Sequence, residues 1–133
     1  AALRQAKRRA ALYTGLADLA GVWPLEKVTG ALTRLADIAT DKALKFYVAH
    51  EISRGKLPGA TKDDIETAGG AFALAMGKMG AGELNYSSDI DLIMLFDDTR
   101  YDDEDYHDAR ASLITSQRRS PMRAIGSVHR RRP

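Results

Sequence analysis

Apolar residues recur at three- and four-residue steps over the first half of the chain, and this pattern predicts two long helices. The first covers residues 1–20 and the second runs over residues 25–54. Pro24 suits the first turn of the second helix, and Trp23 is expected to fill the core between the two helices. A break at Thr40–Asp41 is compatible with the sequence, because either side chain can cap a helix. The apolar stripe of the first helix is Leu3, Ala6, Ala10, Tyr13, Leu16 and Ala17. The stripe of the second is Val28, Leu32, Leu35, Ile38, Ala39, Leu44, Val48 and Ile52.

Shorter elements are predicted for the second half. Residues 55–70 form a polar connection with a short turn of helix around Lys62–Glu66. Ala71–Met76 is an apolar run between glycines, which suits a buried strand, although its alanines also suit a helix and periodicity does not decide. A second strand is predicted over Asp89–Phe96, followed by an acidic loop and a helix that begins near Asp103.

Two acidic residues open the second strand. Side chains two apart on a strand share one face, so Asp89 and Asp91 are expected to project together, about 6.5–7 Å apart, while Ile90 points into the core. Two carboxylates at this spacing suit a hard divalent cation such as Mg²⁺, which is commonly bound by one or two carboxylates together with nucleotide phosphates. The sequence therefore predicts a catalytic metal site at these two acids.

A glycine-rich turn precedes the acids. Glycines tolerate positive φ and allow close approach to backbone N–H groups, which together form a concavity that attracts phosphate. A lysine and two serines add further donors, although the lysine could equally point to solvent. The candidate nucleotide-binding residues are Gly77, Lys78, Gly80, Gly82, Ser87 and Ser88.

The order of these features is more specific than any one of them. A lone Asp-x-Asp is most often a surface or turn feature, and a lone Gly-x-x-Gly often ends a helix or strand. A core strand, however, has no packing reason to begin with two acids on one face, because unpaired buried carboxylates are costly. A glycine turn, a serine pair and two acids leading into an apolar strand together predict metal-dependent phosphoryl or nucleotidyl transfer.

The segment Gly77–Ile93 closely resembles the signature of the glutamine synthetase adenylyltransferase/adenylyl-removing enzymes, which are polymerase-beta-type nucleotidyltransferases. The likeness includes Glu83–Asn85 and the run Ser87–Ile93, and upstream it extends to Ala17–Trp23 and Leu35–Asp37. It runs from near the start of the chain to about Ile114. The resemblance implies an α/β (α+β) fold, in which a helical N-terminal half precedes a small mixed sheet, and it favours a strand for the run after Gly70.

That family carries two catalytic halves in one long chain, and the sequence of Asn85–Asp91 is more similar to the adenylyl-removing half. The resemblance implies transfer of AMP from ATP to a tyrosine of glutamine synthetase, and removal of that AMP by phosphorolysis to ADP. In such an enzyme Asp89 and Asp91 would hold Mg²⁺. It also implies glutamine synthetase as the protein substrate, PII signal proteins as regulators and a cytoplasmic location.

Composition limits the alternatives. The 133 residues suit one domain, and a hydrophobic fraction of 44% is enough to form a core. There is no cysteine, so disulfides and thiolate metal sites are excluded, and no apolar run approaches the length of a membrane span. The net charge of +2 is uneven, because residues 109–133 contain seven arginines and no acid, which leaves −5 for residues 1–108. A basic tail of this kind does not indicate a nucleic-acid-binding domain.

The same tail lacks an expected residue. Enzymes of this type use a third carboxylate on a later strand, which the family places in an Asp-x-Arg-Leu-Arg-Pro segment, and residues 115–133 contain no acid. We therefore expect a truncated arrangement with residues 1–57 as a helical segment, 58–114 as a partial nucleotidyltransferase core and 115–133 as a divergent basic tail. Such a chain is expected to bind Mg-nucleotide weakly and to turn over little.

Two other classes remain open. A nucleotidyltransferase that acts on a small molecule or RNA would share the same metal and phosphate residues. A catalytically dead interaction module would share only the helices.

Overall fold

The computed structural model describes the backbone of residues 2–118 and the side chains of residues 3–113. Its first half is a helical hairpin, in which α1 spans Ala2–Leu19 and α2 spans Leu25–Ser53, as the apolar periodicity predicts. The predicted break in α2 is absent. Asp41 does not cap a new helix there; its carboxylate pairs with Lys45 one turn later at 3.5 Å, which supports a continuous helix.

The second half contains one small sheet. Strand β1, Ala71–Ala75, confirms the strand interpretation, and it pairs antiparallel with β2, Leu92–Phe96. Ala71 lies opposite Phe96 and Ala75 opposite Leu92. The sheet was predicted to be mixed, but over the described residues it is this antiparallel pair.

Shorter helical elements complete the chain. A single helical turn, α3, spans Gly77–Gly80 between the strands, and α4 spans Asp103–Arg118. Three 3-10 turns lie at Lys62–Ile65, Ala68–Gly70 and Asp98–Arg100, and the first matches the predicted turn of helix.

The second strand begins three residues later than predicted. Residues 89–91 have no extended neighbour, because β1 ends at Ala75 and the chain then turns into α3. One further ladder bond remains, from the Met76 N–H to the Asp91 carbonyl at 2.9 Å.

Two apolar clusters make up the core, and α2 contributes to both. The first joins α2 to α3, the loop that follows it, and β2; its members are Val28, Leu32, Ala36, Met79, Leu84 and Leu92. The second joins the C-terminal half of α2 to β1 and α4; its members are Val48, Leu57, Ala68, Ala71, Tyr101, Ala109 and Leu113. Trp23 is half-buried and packs against the first cluster. Its predicted place between the two helices stays a prediction.

The predicted buried faces of the helices are partly wrong. Ile38 of α2 is 48% exposed, and Thr33 and Thr40 are buried instead. In α1 the buried residue is Thr14, whereas Leu3, Tyr13 and Leu16 of the predicted stripe are exposed. Helix α1 carries apolar residues on more than one side, so its periodicity does not identify the side that meets α2.

Polar contacts fix α4 and the ends of the sheet. The buried Glu51 of α2 accepts a hydrogen bond from Ser112 of α4 at 2.9 Å and pairs with Arg54 at 3.2 Å. The Tyr101 hydroxyl donates to the Gly69 carbonyl at 3.0 Å. None of the described helices is long and apolar enough to cross a membrane.

Candidate metal- and phosphate-binding site

The glycine turn is a compact helical turn with several amides left over. Gly77 enters it with a φ of 56°, and Gly82 leaves it with a φ of 76°, both in the left-handed region that favours glycine. Within the turn Gly80 donates to the Met76 carbonyl at 3.2 Å, and Gly82 donates to the Met79 carbonyl at 3.1 Å. The amides of Gly77, Lys78 and Met79 donate to no described acceptor, as is usual at the first turn of a helix.

Gly80 permits a close contact between this turn and the strand before it. A Cβ at Gly80 would lie 2.5 Å from the carbonyl oxygen of Ala75, the last residue of β1. Met79 next to it is buried in the first core cluster. Glycine at position 80 therefore holds α3 tightly against the strand end, while Met79 anchors it from the other side.

Helix α2 fixes the loop that follows the turn. Leu84 is buried, and its N–H donates to the Thr33 hydroxyl at 3.2 Å. The same hydroxyl donates to the Thr29 carbonyl at 2.9 Å. Sequence reasoning missed Thr33, because an isolated threonine in an apolar helix stripe gives no sign of a contact 51 residues away.

Asn85 organises the two serines. Its side-chain oxygen accepts from the Ser87 N–H at 3.1 Å and from the Ser88 hydroxyl at 2.6 Å. The Asn85 N–H in turn donates to the Ser88 hydroxyl at 3.0 Å. The Ser88 hydroxyl, predicted to face a nucleotide, is thus used within the loop. Asn85 was not a candidate, although an Asn followed by serines is a recognisable turn signal.

Tyr86 connects the loop to α1. Desolvation of its hydroxyl raises the pKa of Tyr86, and the hydrogen bond and charge of the Asp18 carboxylate raise it further. The Tyr86 hydroxyl thus interacts with Asp18, and α1 contributes to the position of the loop that leads to the acids.

Asp89 and Asp91 lie at the end of this loop, immediately before β2. Both are exposed, whereas Ile90 and Leu92 between and after them pack into the first core cluster. This alternation agrees with both carboxylates facing away from the core. Neither side-chain carboxylate forms an ion pair or hydrogen bond with another described residue. No group of three His, Cys, Asp or Glu among the described side chains could hold a metal ion.

A cavity near this region is lined by residues of α2, β1 and the turn. It has a volume of about 310 Å³ between α2 and β1, and its wall includes Met79 and Leu92 but neither acid. Lys45 crosses its rim, with its ammonium 3.2 Å from Glu66. The two acids are thus on an open surface.

Comparison with known proteins decides the family. The family model of glutamate-ammonia ligase adenylyltransferase matches residues 1–118. The chain belongs to this family. The match ends four residues beyond Ile114, where the resemblance was expected to stop, and residues 119–133 lie outside the described residues.

Individual adenylyltransferases show the same relation. The chain is 56% identical over 95 residues to a bifunctional glutamine synthetase adenylyltransferase/adenylyl-removing enzyme of a Bradyrhizobium species, over 71% of this chain and 10% of that protein. A protein of the same name from Rhodopseudomonas palustris is 50% identical over 97 residues, 73% of this chain and 10% of its own. One from Caulobacter vibrioides is 44% identical over 112 residues, 84% of this chain and 11% of its own.

The chain therefore spans about one tenth of the length of the curated adenylyltransferases it matches. No solved structure matches it. The family relationship predicted from Gly77–Ile93 is confirmed, and the choice of the adenylyl-removing half stays a prediction.

Proposed function

We propose that this chain provides the metal- and nucleotide-binding part of a nucleotidyltransferase site that transfers AMP. The observation that supports this most is the position of two features at one end of the sheet. The exposed, unpaired acids Asp89 and Asp91 follow the loop, and the three available amides of Gly77–Met79 begin the turn. The hydrogen bond from Met76 to Asp91 joins the two features directly.

The two carboxylates fit a magnesium ion. Mg²⁺ prefers oxygen ligands, takes one or two carboxylates and completes its shell with water and phosphate oxygens, so an open pair of acids is an appropriate donor set. Bound there, the ion would neutralise charge on the phosphates of ATP. Asp89 and Asp91 are the residues that would hold it.

The turn is proposed to seat the phosphates. The amides of Gly77, Lys78 and Met79 can donate to phosphate oxygens, and the exposed Lys78 ammonium adds a positive charge. The amides of Gly80 and Gly82 are used inside the turn, so these two glycines contribute through the shape of the backbone.

The reaction is inferred from the family resemblance together with the names of the relatives. In the adenylylating direction the oxygen of a glutamine synthetase tyrosine bonds to the α-phosphorus of ATP, the bond from that phosphorus to the bridging oxygen breaks, and pyrophosphate leaves. In the removing direction an oxygen of inorganic phosphate bonds to the phosphorus of the adenylyl-tyrosine, and the bond from that phosphorus to the tyrosine oxygen breaks. ADP forms, and the tyrosine oxygen regains a proton. The sequence of Asn85–Asp91 leads us to favour the removing direction. For a protein of the relatives' length we propose PII signal proteins as regulators and a cytoplasmic location.

Turnover by this chain alone is expected to be low. The third carboxylate that such sites use is absent from residues 115–133, and the described side chains hold no third acid beside Asp89 and Asp91. We therefore expect nucleotide binding to be the measurable property.

Thermal unfolding with and without Mg-ATP tests the proposal. At about ten times the Kd, ligand binding adds about 1.4 kcal/mol, which raises the melting temperature by about 3–8 °C for a chain of this size. The double change Asp89→Asn and Asp91→Asn should abolish the rise, and the exposed control Asp63→Asn should keep it. A rise that survives the double change, or no rise in the unchanged protein, would overturn the proposal.

A further inference from the structure

The two faces of the sheet have different neighbours. On β1, Ala71, Ala73 and Ala75 belong to or pack against the core clusters formed with α2. The corresponding side chains of β2 are Leu92, Met94 and Phe96, and Ile90, two residues before the strand, packs on the same side. Small alanines on one strand and larger side chains on the other therefore fit this face of the sheet to α2.

The opposite face is apolar, and the described residues leave much of it exposed. Phe72 and Leu74 of β1 are each 49% exposed, and Met76 just after the strand is 42% exposed. By the register Phe72 lies opposite Leu95, and Leu74 lies opposite Ile93. None of these five side chains belongs to either core cluster of the described residues. We refer to them together as the outer face.

A solvated sheet face is normally polar. Antiparallel sheets that face water on one side alternate apolar and polar side chains, whereas these strands are apolar on both sides. Contiguous exposed apolar side chains of this kind mark a surface that another element covers. The outer face is therefore expected to be an interface.

The acids at one end of this face limit what can cover it. Asp89 and Asp91 precede Ile93 and Leu95 at two-residue steps, and both acids are exposed. A second copy of the chain could stack on this face by two-fold symmetry in two ways. Its Asp89 and Asp91 would then lie either against the same two acids of the first copy or against the apolar end of the face at Phe72. Both arrangements bury carboxylates without a partner, which is costly.

The relatives are much longer than this chain, so further segments are available to cover the face. About nine tenths of the length of each lies outside the part that matches this chain. We propose that, in a protein of the relatives' length, an apolar segment from outside the region matched by residues 1–118 packs on the outer face. It covers Phe72, Leu74 and Leu95 and ends before the two acids, so that it forms one wall of the nucleotide site. The position of its end rests on the proposed function; the cover itself does not.

Hydroxyl-radical footprinting tests the cover directly. It would be applied to this chain alone and to a chimaera in which residues 1–118 replace the matched segment of the Bradyrhizobium relative. Each oxidation rate is divided by the intrinsic reactivity of its residue type. In the chain alone the normalised rates of Phe72 and Leu74 should lie between those of Phe46, which is 70% exposed, and Met79, which is 4% exposed. In the chimaera their oxidation should fall to the level of Met79.

Each other outcome overturns the inference. Unchanged oxidation in the chimaera would show that no segment covers the face. Protection of the chain alone that grows with its concentration would assign the face to a second copy. Protection of the chimaera only after glutamine synthetase is added would assign it to a protein substrate. Mg-ATP thermal shifts of the same chimaera report on the nucleotide site separately, so the two proposals can fail independently.

A pair of variants tests whether a charge on the outer face is buried in the chimaera. Leu74→Lys should leave the melting temperature of the chain alone near that of the unchanged protein, because the position is half exposed there. In the chimaera the same change should lower it, because a charge would be buried. The exposed control Asp37→Lys on α2 should give the same small effect in both proteins. An equal effect of Leu74→Lys in the two backgrounds would contradict the cover.

Discussion

Replacing Gly80 with alanine tests the contact that positions the glycine turn. The new Cβ would lie 2.5 Å from the Ala75 carbonyl oxygen and 3.1 Å from its carbonyl carbon, whereas ordinary contact begins near 3.4 Å. The turn and the strand end would have to separate by about 0.9 Å at the closest point, the difference between those two distances. Both sides of the contact are backbone, so no side-chain rotation relieves it.

Whether Gly80→Ala stabilises or destabilises the protein depends on two opposing effects. In a helix alanine is more favourable than glycine by up to about 1 kcal/mol, and Gly80 does not have a positive φ that would oppose the change. Overpacking in a well-packed site costs about 1–3 kcal/mol, and here the clash is with backbone. We therefore expect a net loss of about 1–2 kcal/mol in the free energy of unfolding.

Gly30→Ala is the matched control. Gly30 lies within α2, and a Cβ there meets nothing within 4 Å. The Gly30→Ala change should raise the free energy of unfolding by about 0.5–1 kcal/mol. Urea denaturation followed by circular dichroism measures both variants. The reasoning is refuted if Gly80→Ala is as stable as the unchanged protein, or if both alanines have the same effect.

Three further predictions concern the surrounding loops and the junction of α2 with α4. Asn85→Ala removes the acceptor for the Ser87 amide and the Ser88 hydroxyl. It should lower the free energy of unfolding, measured by urea denaturation, by about 1 kcal/mol and reduce the Mg-ATP thermal shift. An unchanged thermal shift would contradict the role given to this loop. The amide and hydroxyl of Thr61, followed by Arg100, lower the pKa of Asp64, so its stabilisation is present above the ordinary value of 3.8 and is lost as the pH falls through the lowered pKa. Asp64→Asn should flatten the acid side of the melting-temperature profile below about pH 4, whereas Asp63→Asn should leave it unchanged. Glu51→Ala removes a buried carboxylate that accepts from Ser112, and should cost about 1–3 kcal/mol in thermal unfolding; a loss under about 0.5 kcal/mol would show that α4 docks without it.

The helices and strands that could be predicted are those set by hydrophobic periodicity and by the turn residues next to them. The long apolar stripe of α2 gave a helix that the structure extends from Leu25 to Ser53, and the glycine-bounded run gave β1. The signature from Gly77 to Ile93 identified the family, because it combines turn, metal and strand signals in one order. The structure brings Gly77 and Asp91 to the same end of the sheet through the bond made by Met76.

Contacts between distant segments were not predictable in the same way. The buried side of α1 was predicted wrongly, since Thr14 is buried while Leu16 stays exposed. The bond from Leu84 to Thr33 joins two segments with no shared pattern. The close approach of Gly80 to Ala75 depends on the path of the backbone, and a glycine in the sequence is compatible with many such paths.

The most direct test of the account is to locate a bound divalent ion. Mn²⁺, used in place of Mg²⁺ with ATP, broadens the NMR signals of nearby amides in the isotope-labelled chain. The account predicts that broadening is strongest at Asp89–Asp91 and at Gly77–Met79 and is lost in the variant with both acids changed to asparagine. Broadening centred instead on the acidic run Asp102–Asp105 would contradict it.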